Sequence, residues 1–506
     1  MKLIVLMLAF ATADAAAESL VLAGERQRVD IGLRGGLPVA WQGCAPDCAV
    51  NDPFVLLSEP PQGGRLRFVV AGDAARTDAI NALQYGYELR EADGRWIALL
   101  TSATAFDGRV LQQRYAFDQR GRMLSMSLQL PPGAKLEFTG GRVLVPEEYP
   151  GFGGLYSNAR AVAVGADGQE TLAEEGEEPI IGRALSAGEW AGLRGRFWTV
   201  MFRSDAPLVV DASETTPDEP VLRLGAANGV RADLELTAYA GPVARDELAG
   251  AAPQLEGMLY AVLWNPLRWL TFGLQWMLDR WQDLVGRAWL AILLLSLSVK
   301  LLMAPLIAIA ERWQADVNRT KSLLEPELAA IRRGYKGEEA HNRTLAVYRK
   351  HGVSHFYTFK SLAGFLIQIP VFIAAFDMLG ENFRLAGEQF LWIDDLASPD
   401  HFAALPFVLP FFGGHLNLLP IVMTLFTVLA ARLQEEPSLA LGLRQGERLR
   451  LYAMAGVFFV LLYTFPAAMV LYWTANNFWH LLRVVVSGFR EGAARNSRES
   501  EPRPRH

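Results

Sequence analysis

Of 506 residues only two are cysteine and only seven are lysine, against 41 arginines. Two thiols cannot staple a small secreted scaffold, which needs several bridges to replace a core. Charged residues make up 20% of the chain, below the ~25% of an ordinary soluble protein. With 51% of the residues hydrophobic, that scarcity of charge excludes a disordered chain, and 45 glycines are too few for a collagen. There is no P-loop, no G-x-S-x-G turn and no compelling pair of acids. The sequence therefore reads as a non-enzyme with no cofactor, and no nucleic-acid binding is expected of it.

The charge that is present is unevenly placed. Residues 1–250 carry 23 Lys and Arg against 33 Asp and Glu, a net of −10, and residues 251–506 carry 25 against 21, a net of +4. The first stretch begins with Lys2, an apolar run from Leu3 to Ala11 and small residues through Ala17. That is the layout of an export signal cleaved at Ala15 or Ala17, or of a short uncleaved anchor over 1–17. The run stops at Asp14, short of the ~20 residues that span a bilayer.

From residue 20 to 249 short alternating runs close on Gly, Asp or Pro. Examples are Arg65–Val70, Met123–Leu130 and Phe197–Phe202. Period-two alternation buries one face and wets the other, as in an antiparallel sandwich. Both cysteines lie here, in Cys44-Ala45-Pro46-Asp47-Cys48. In an oxidising compartment this spacing favours a disulfide between Cys44 and Cys48 over a redox-active C-x-x-C pair. The acidic run Glu174-Glu175-Gly176-Glu177-Glu178 reads as a solvated loop.

After Pro253 the composition changes. Residues 256–284 carry four tryptophans among charges, which suits an amphipathic helix in the headgroup layer, bent or restarted at Pro266. Five apolar stretches follow, at 288–310, 361–379, 414–431, 451–465 and 467–486, within a membrane core over 288–486. Residues 311–360 hold ten Lys and Arg, whereas 380–415 hold only Arg384. By the positive-inside rule 311–360, 432–450 and the tail 487–506 face the cytoplasm and the exported 20–249 domain lies outside. The 311–360 segment reads as a helical hairpin broken at Gly334-Tyr335-Lys336-Gly337, with Leu324 and Tyr348 on its apolar stripes.

Lys300 lies mid-span in Ser298-Val299-Lys300-Leu301-Leu302. A cation at the bilayer centre costs ~2.5–3.5 kcal/mol and must meet water or a counter-charge. It lies about ten residues from the cytoplasmic end, ~15 Å along a helix, beyond a lysine's reach. Ser296, Ser298, Gln368, Thr424, Thr427, Thr474, Asn476 and Asn477 are polar in otherwise apolar helices and should turn inward. Together they outline a polar groove.

The run Ser298–Leu306, Leu324-Glu325-Pro326, Phe365–Phe372, Leu391–Leu396 and Phe465–Asn477, which includes Trp473, resembles the YidC–Oxa–Alb membrane-protein insertases over about residues 256–486. Gly188-Glu189-Trp190, Arg196-Phe197-Trp198 and Tyr239–Pro242 resemble the periplasmic β-supersandwich of Gram-negative members. The resemblance implies a multidomain protein of the inner membrane: a β-supersandwich, then a five-span helical core with a cytoplasmic helical hairpin. It implies an insertase that works without nucleotide. A substrate groove of Lys300, Ser296, Gln368, Trp473, Asn476 and Asn477 would host a client's hydrophilic tail, and Leu324, Pro326 and Tyr348 would shape the hairpin. Nascent membrane proteins, the lipid bilayer, the Sec translocon and the ribosome are the partners it implies, although the mixed-charge tail argues against strong ribosome docking.

Lys300 stands where the family usually has arginine, and His355–Lys360 replaces its Asn-Pro and Gly-Cys pattern. Two other classes fit parts of the chain. The β half resembles carbohydrate-binding or carbohydrate-active domains, and Lys300 would suit an anion site in a transporter or channel. Five spans without an internal repeat do not follow the usual transporter plan.

Overall fold

The computed structural model describes residues 19–45, 48, 54–58, 64–140, 144, 149–156, 159–173, 178–214, 220–227, 232–353, 363–433 and 441–499. The export signal at 1–17, the acidic residues 174–177 and His355 lie outside them. The chain divides into two compact units, Met1–Glu148 with Leu155–Ala261 and Tyr149–Gly154 with Val262–His506.

The first unit is built from antiparallel strands. Among the described residues a nine-stranded sheet runs in the order Gly168–Ala173, Arg160–Gly165, Trp190–Arg194, Trp198–Arg203, Ala232–Pro242, Met123–Leu130, Gln112–Asp118, Arg95–Ser102 and Tyr85–Ala92. A five-stranded sheet follows Ile180–Leu185, Leu208–Glu214, Pro220–Ala226, Ala134–Thr139 and Arg65–Val70, and a four-stranded meander covers Ser19–Leu57. Alternation sets which face is buried. In Met123–Leu130 the residues Leu124, Met126, Leu128 and Leu130 point into the core, and Leu128 lies opposite Leu234. Rings join the sheets. Phe138 meets Phe202 edge-on at 5.6 Å, and Phe54 stacks on Trp198 at 4.6 Å. Two short helices, α1 (Ala74–Asn81) and α2 (Arg245–Ala251), lie outside the alternating pattern. Cys44 and Cys48 are joined as a disulfide with Cα atoms 4.9 Å apart.

One carboxylate is buried within the five-stranded sheet. Glu137, 2% exposed, lies directly across from Arg67 on one neighbouring strand and Arg223 on the other. The two guanidinium Nε–H groups donate to its oxygens at 2.5 and 2.7 Å. Burial pushes its pKa up, but the hydrogen bonds and charges of Arg67 and Arg223 outweigh burial and hold it below the ordinary 4.5. A carboxyl with a depressed folded pKa stabilises the fold above its unfolded value. That contribution is lost as pH falls through the folded one. Glu137→Gln is expected to lower the unfolding midpoint of this unit at neutral pH and to flatten the loss of stability below about pH 4.5. Urea titrations at several pH values check it, and an acid limb unchanged in the variant would assign acid sensitivity to other groups.

The second unit is helical: α3 (Asn265–Val285), α4 (Ala288–Gly334), α5 (Gly337–Lys350), α6 (Ala363–Glu381), α7 (Leu419–Leu433), α8 (Leu441–Leu462) and α9 (Ala467–Glu499). The amphipathic helix begins at Asn265 rather than at 256, where a 3₁₀ turn over Pro253–Met258 precedes it. Pro266 starts the helix rather than bending it, because its fixed φ and missing N–H suit the first turn. Gly286, at φ 64°, ends it, and its N–H returns to the Gln282 carbonyl. α3 buries Leu267, Thr271, Leu274 and Leu278 and leaves Trp269 and Trp276 exposed.

Among the described residues α4 is long and apolar enough to cross a membrane, and Leu418–Leu433 forms a shorter apolar helix. α4 continues for 47 residues through Pro305 and Pro326, so the expected first span and the first arm of the hairpin are one helix. The hairpin breaks near Gly334. Leu324, Ile331 and Val347 form its buried core, with Leu328, Tyr335 and Tyr348 packed against them. Glu327 pairs with Lys350 and His351 across the two arms. The stretch expected to span from 414 begins instead as a β-hairpin, Ala403–Leu409 with Gly413–Leu416, and the helix starts at Leu419. α8 begins ten residues before the stretch expected at 451–465 and ends at Leu462, and α9 runs past the stretch expected at 467–486 to Glu499.

Candidate functional site

Lys300 sits half-buried on α4, and its Nζ donates to the main-chain carbonyl of Asn476 on α9 at 2.9 Å. Among the described residues no carboxylate pairs with it, so its only hydrogen-bond partner there is neutral. Ser296, one turn earlier on α4, is completely buried, and its hydroxyl has no hydrogen-bond partner among the described residues.

The remaining groove candidates separate. Asn477 faces α7, where its Nδ2 donates to Thr427 Oγ1 at 2.9 Å. Successive helical residues point 100° apart, so Asn476 and Asn477 serve different neighbours. Ser298 is turned to α3 and accepts from Trp281 Nε1 at 3.1 Å. Thr424 and Thr474 donate to their own helices, to Pro420 and Val470. Trp473 stacks on Phe458 and meets Phe372 edge-on, each at 4.9 Å, joining α6, α8 and α9. Gln368 is exposed on α6. The polar set is thus several helix contacts, with Lys300 and Asn476 at one of them.

Two charged residues and a histidine extend this contact. Arg483 and Glu311 form a forked ion pair, both Nη–Oε distances being 2.8 Å. Asn476, His480 and Arg483 follow one face of α9 at helical spacing, and His480 lies within electrostatic reach of Lys300, Arg483 and Glu311. The spacing of 476, 480 and 483 was the available sequence signal. The partner Glu311, 172 positions away, was not. Elsewhere Arg384, the lone base of 380–415, pairs with Asp279 and Asp283 of α3. Among the described residues no cluster of three or more metal-ligating side chains occurs.

Residues 281–488 match the family described as 60Kd inner membrane protein. Similar relatives include the membrane protein insertase YidC of Janthinobacterium sp. (strain Marseille), 28% identical over 268 residues, 51% of this chain and 43% of the relative. That of Ralstonia nicotianae is 30% identical over 51% of this chain and 43% of its own length. Over nearly the whole chain, 91% of it and 79% of the relative, the YidC of Anaeromyxobacter sp. is 26% identical. The chain spans under half the length of the first relatives it matches. A crystal structure of an active YidC insertase with its first transmembrane domain resolved covers 93% of the chain at 14% identity and a TM-score of 0.34.

Proposed function

We propose that this chain inserts membrane proteins into the inner membrane through a polar groove centred on Lys300, without nucleotide hydrolysis. The observation that carries this reading is the half-buried Lys300 ammonium, bonded to a neutral carbonyl and so left with its charge available. An acidic client tail would meet that charge where low dielectric strengthens the attraction, while its apolar helix partitions into lipid. The membrane potential adds ~2.3 kcal/mol per 100 mV for each negative charge moved outward. The proposed topology puts the β unit in the periplasm and the 311–360 hairpin in the cytoplasm. Nascent membrane proteins would be the clients, with the Sec translocon and ribosome as further partners. The similarity of residues 281–488 to the 60Kd inner membrane protein family supports this over a carbohydrate-active or transport role.

The test is reconstitution. Vesicles of phosphatidylethanolamine and phosphatidylglycerol holding the purified protein and a potential should insert a small acidic-tailed membrane protein without ATP, read by protease protection. On the coupling above, removing the potential should slow insertion by roughly tenfold per translocated charge per ~60 mV. Equal insertion in protein-free vesicles would sink the proposal.

A further inference from the structure

The β-hairpin before α7 belongs to no part of the site above. Its strands pair as Ala403 with Leu416, Ala404 with His415 and Leu409 with Gly413, and the register shifts between Ala404 and Leu409. That irregular stretch presents Phe407, 58% exposed, and Val408, 77% exposed, with Phe402 also open beside them. No charged residue occurs from Phe402 to Gly414. Pro406 and Pro410 have no N–H to leave unpaired there.

The base of the hairpin is held firmly. Phe412 meets Tyr463 edge-on at 5.1 Å, the Tyr463 hydroxyl donates to the His415 carbonyl, and Asn417 Nδ2 donates to the Tyr463 carbonyl at 2.6 Å. Buried Asp400 accepts the N–H groups of Leu418 and Leu419 at the start of α7. Phe411 is partly covered by Phe152, and Pro150 lies against Gly413. The open apolar face is therefore Phe402, Phe407, Val408 and Leu409, with Trp392 edge-on to Phe402 at 6.0 Å.

We propose that this hairpin is a lipid-binding wedge that seats Phe407 and Val408 at the headgroup–acyl boundary of the leaflet at the α7 N-terminus. α7 has 15 residues, ~22 Å of helix at 1.5 Å per residue, against a hydrocarbon core of ~30 Å. Its exposed Ile421, Leu425 and Leu429 recur every four residues, one apolar stripe continuous in sequence with the hairpin. The wedge supplies apolar surface where the helix falls short. An uncharged, bulged edge with a tryptophan at its margin suits the interface. A two-stranded edge does not suit the hydrocarbon interior, where unpaired main-chain groups find no partners. The occupant is thus lipid rather than a protein that needs charged or hydrogen-bonding contacts for specificity.

The inference rests on the reading of α7 as a membrane span, and the test separates the two. The two native cysteines are disulfide-bonded, so Val408→Cys, Leu425→Cys and Asp394→Cys each give one labelling site for an environment-sensitive fluorophore. The full-length protein is reconstituted in phosphatidylethanolamine and phosphatidylglycerol vesicles carrying nitroxides near the carbonyl or near the chain end. At Val408 the shallow nitroxide is expected to quench about threefold more than at Asp394, with iodide quenching reduced to match. At Leu425 the deep nitroxide should dominate. Iodide access at Val408 equal to that at Asp394 overturns the wedge, as does protection from both quenchers, which would mean a protein cover. Deep quenching at Val408 equal to that at Leu425 also overturns it. A Leu425 label open to iodide and shielded from lipid quenchers overturns the span reading itself.

Discussion

Lys300→Glu is expected to slow insertion of acidic-tailed clients by about a hundredfold and Lys300→Ala by about tenfold, with Lys300→Arg within about threefold of the parent. At an effective dielectric near 20, two unit charges about 4 Å apart interact by ~4 kcal/mol. Water in a groove screens that interaction, so roughly a third of it, near the 1.4 kcal/mol of one decade in rate, is a reasonable share for the ammonium alone. Glutamate adds repulsion of similar size, hence the second decade. Arginine keeps the charge, and its fork still reaches the neutral Asn476 carbonyl that the lysine Nζ bonds at 2.9 Å.

The contrast that matters is between clients. A neutral-tailed client should respond to the three variants by no more than about twofold, because the term being altered is electrostatic. Protease protection of both clients in the same vesicles measures it. Equal losses for acidic and neutral tails would show that Lys300 holds α4 to α9 and does not read the client's charge.

Much of this molecule is legible in its sequence where periodicity is unambiguous. Arg65–Val70 and Met123–Leu130 alternate cleanly and form strands, and Trp198–Arg203 forms one too, although it is buried on both faces and its burial does not alternate. The hairpin break at Gly334–Gly337 is legible for a different reason: charged helical segments flank a pair of glycines. The hairpin at Ala403–Leu416 is not. A short apolar run bounded by Pro and Gly fits either the start of a span or a strand, and only its pairing decides.

The site shows the same division. That Lys300 needs a partner follows from the cost of a charge in lipid, and Asn476 is one of the polar residues available. Which asparagine it meets depends on helix rotation, and Asn477 turns to Thr427 instead. Ser298 belongs to Trp281 for the same reason. In the Arg483–Glu311 pair, helical spacing places Arg483 on the face of Asn476, but nothing local distinguishes Glu311 from its neighbours.

In the β unit the largest expected loss of stability comes from Arg122, whose side chain is 3% exposed. Its Nε donates to Glu247 Oε2 at 2.9 Å, one Nη to the Arg26 carbonyl at 3.0 Å and the other to the Cys44 carbonyl at 2.6 Å. One guanidinium thus ties the disulfide loop, the turn before Gln27–Gly32 and helix α2 together. Glu247 also accepts from Arg26 at 3.1 Å, so its charge keeps one partner if Arg122 is lost. The two main-chain carbonyls lose this donor.

Removing one partner of a buried ion pair costs about 3–5 kcal/mol. The second arginine brings Arg122→Met toward the lower end of that range. Arg122→Lys keeps the charge but reaches one acceptor where the fork reaches three, so it should recover less than half of the loss. Urea unfolding of the detergent-solubilised protein, with the ratio of the two variants as the readout, tests this. If lysine restores full stability, the net charge beside Glu247 is what the fold requires there. If neither variant moves the midpoint, the loop and α2 are held by the disulfide and by packing of Leu248 alone.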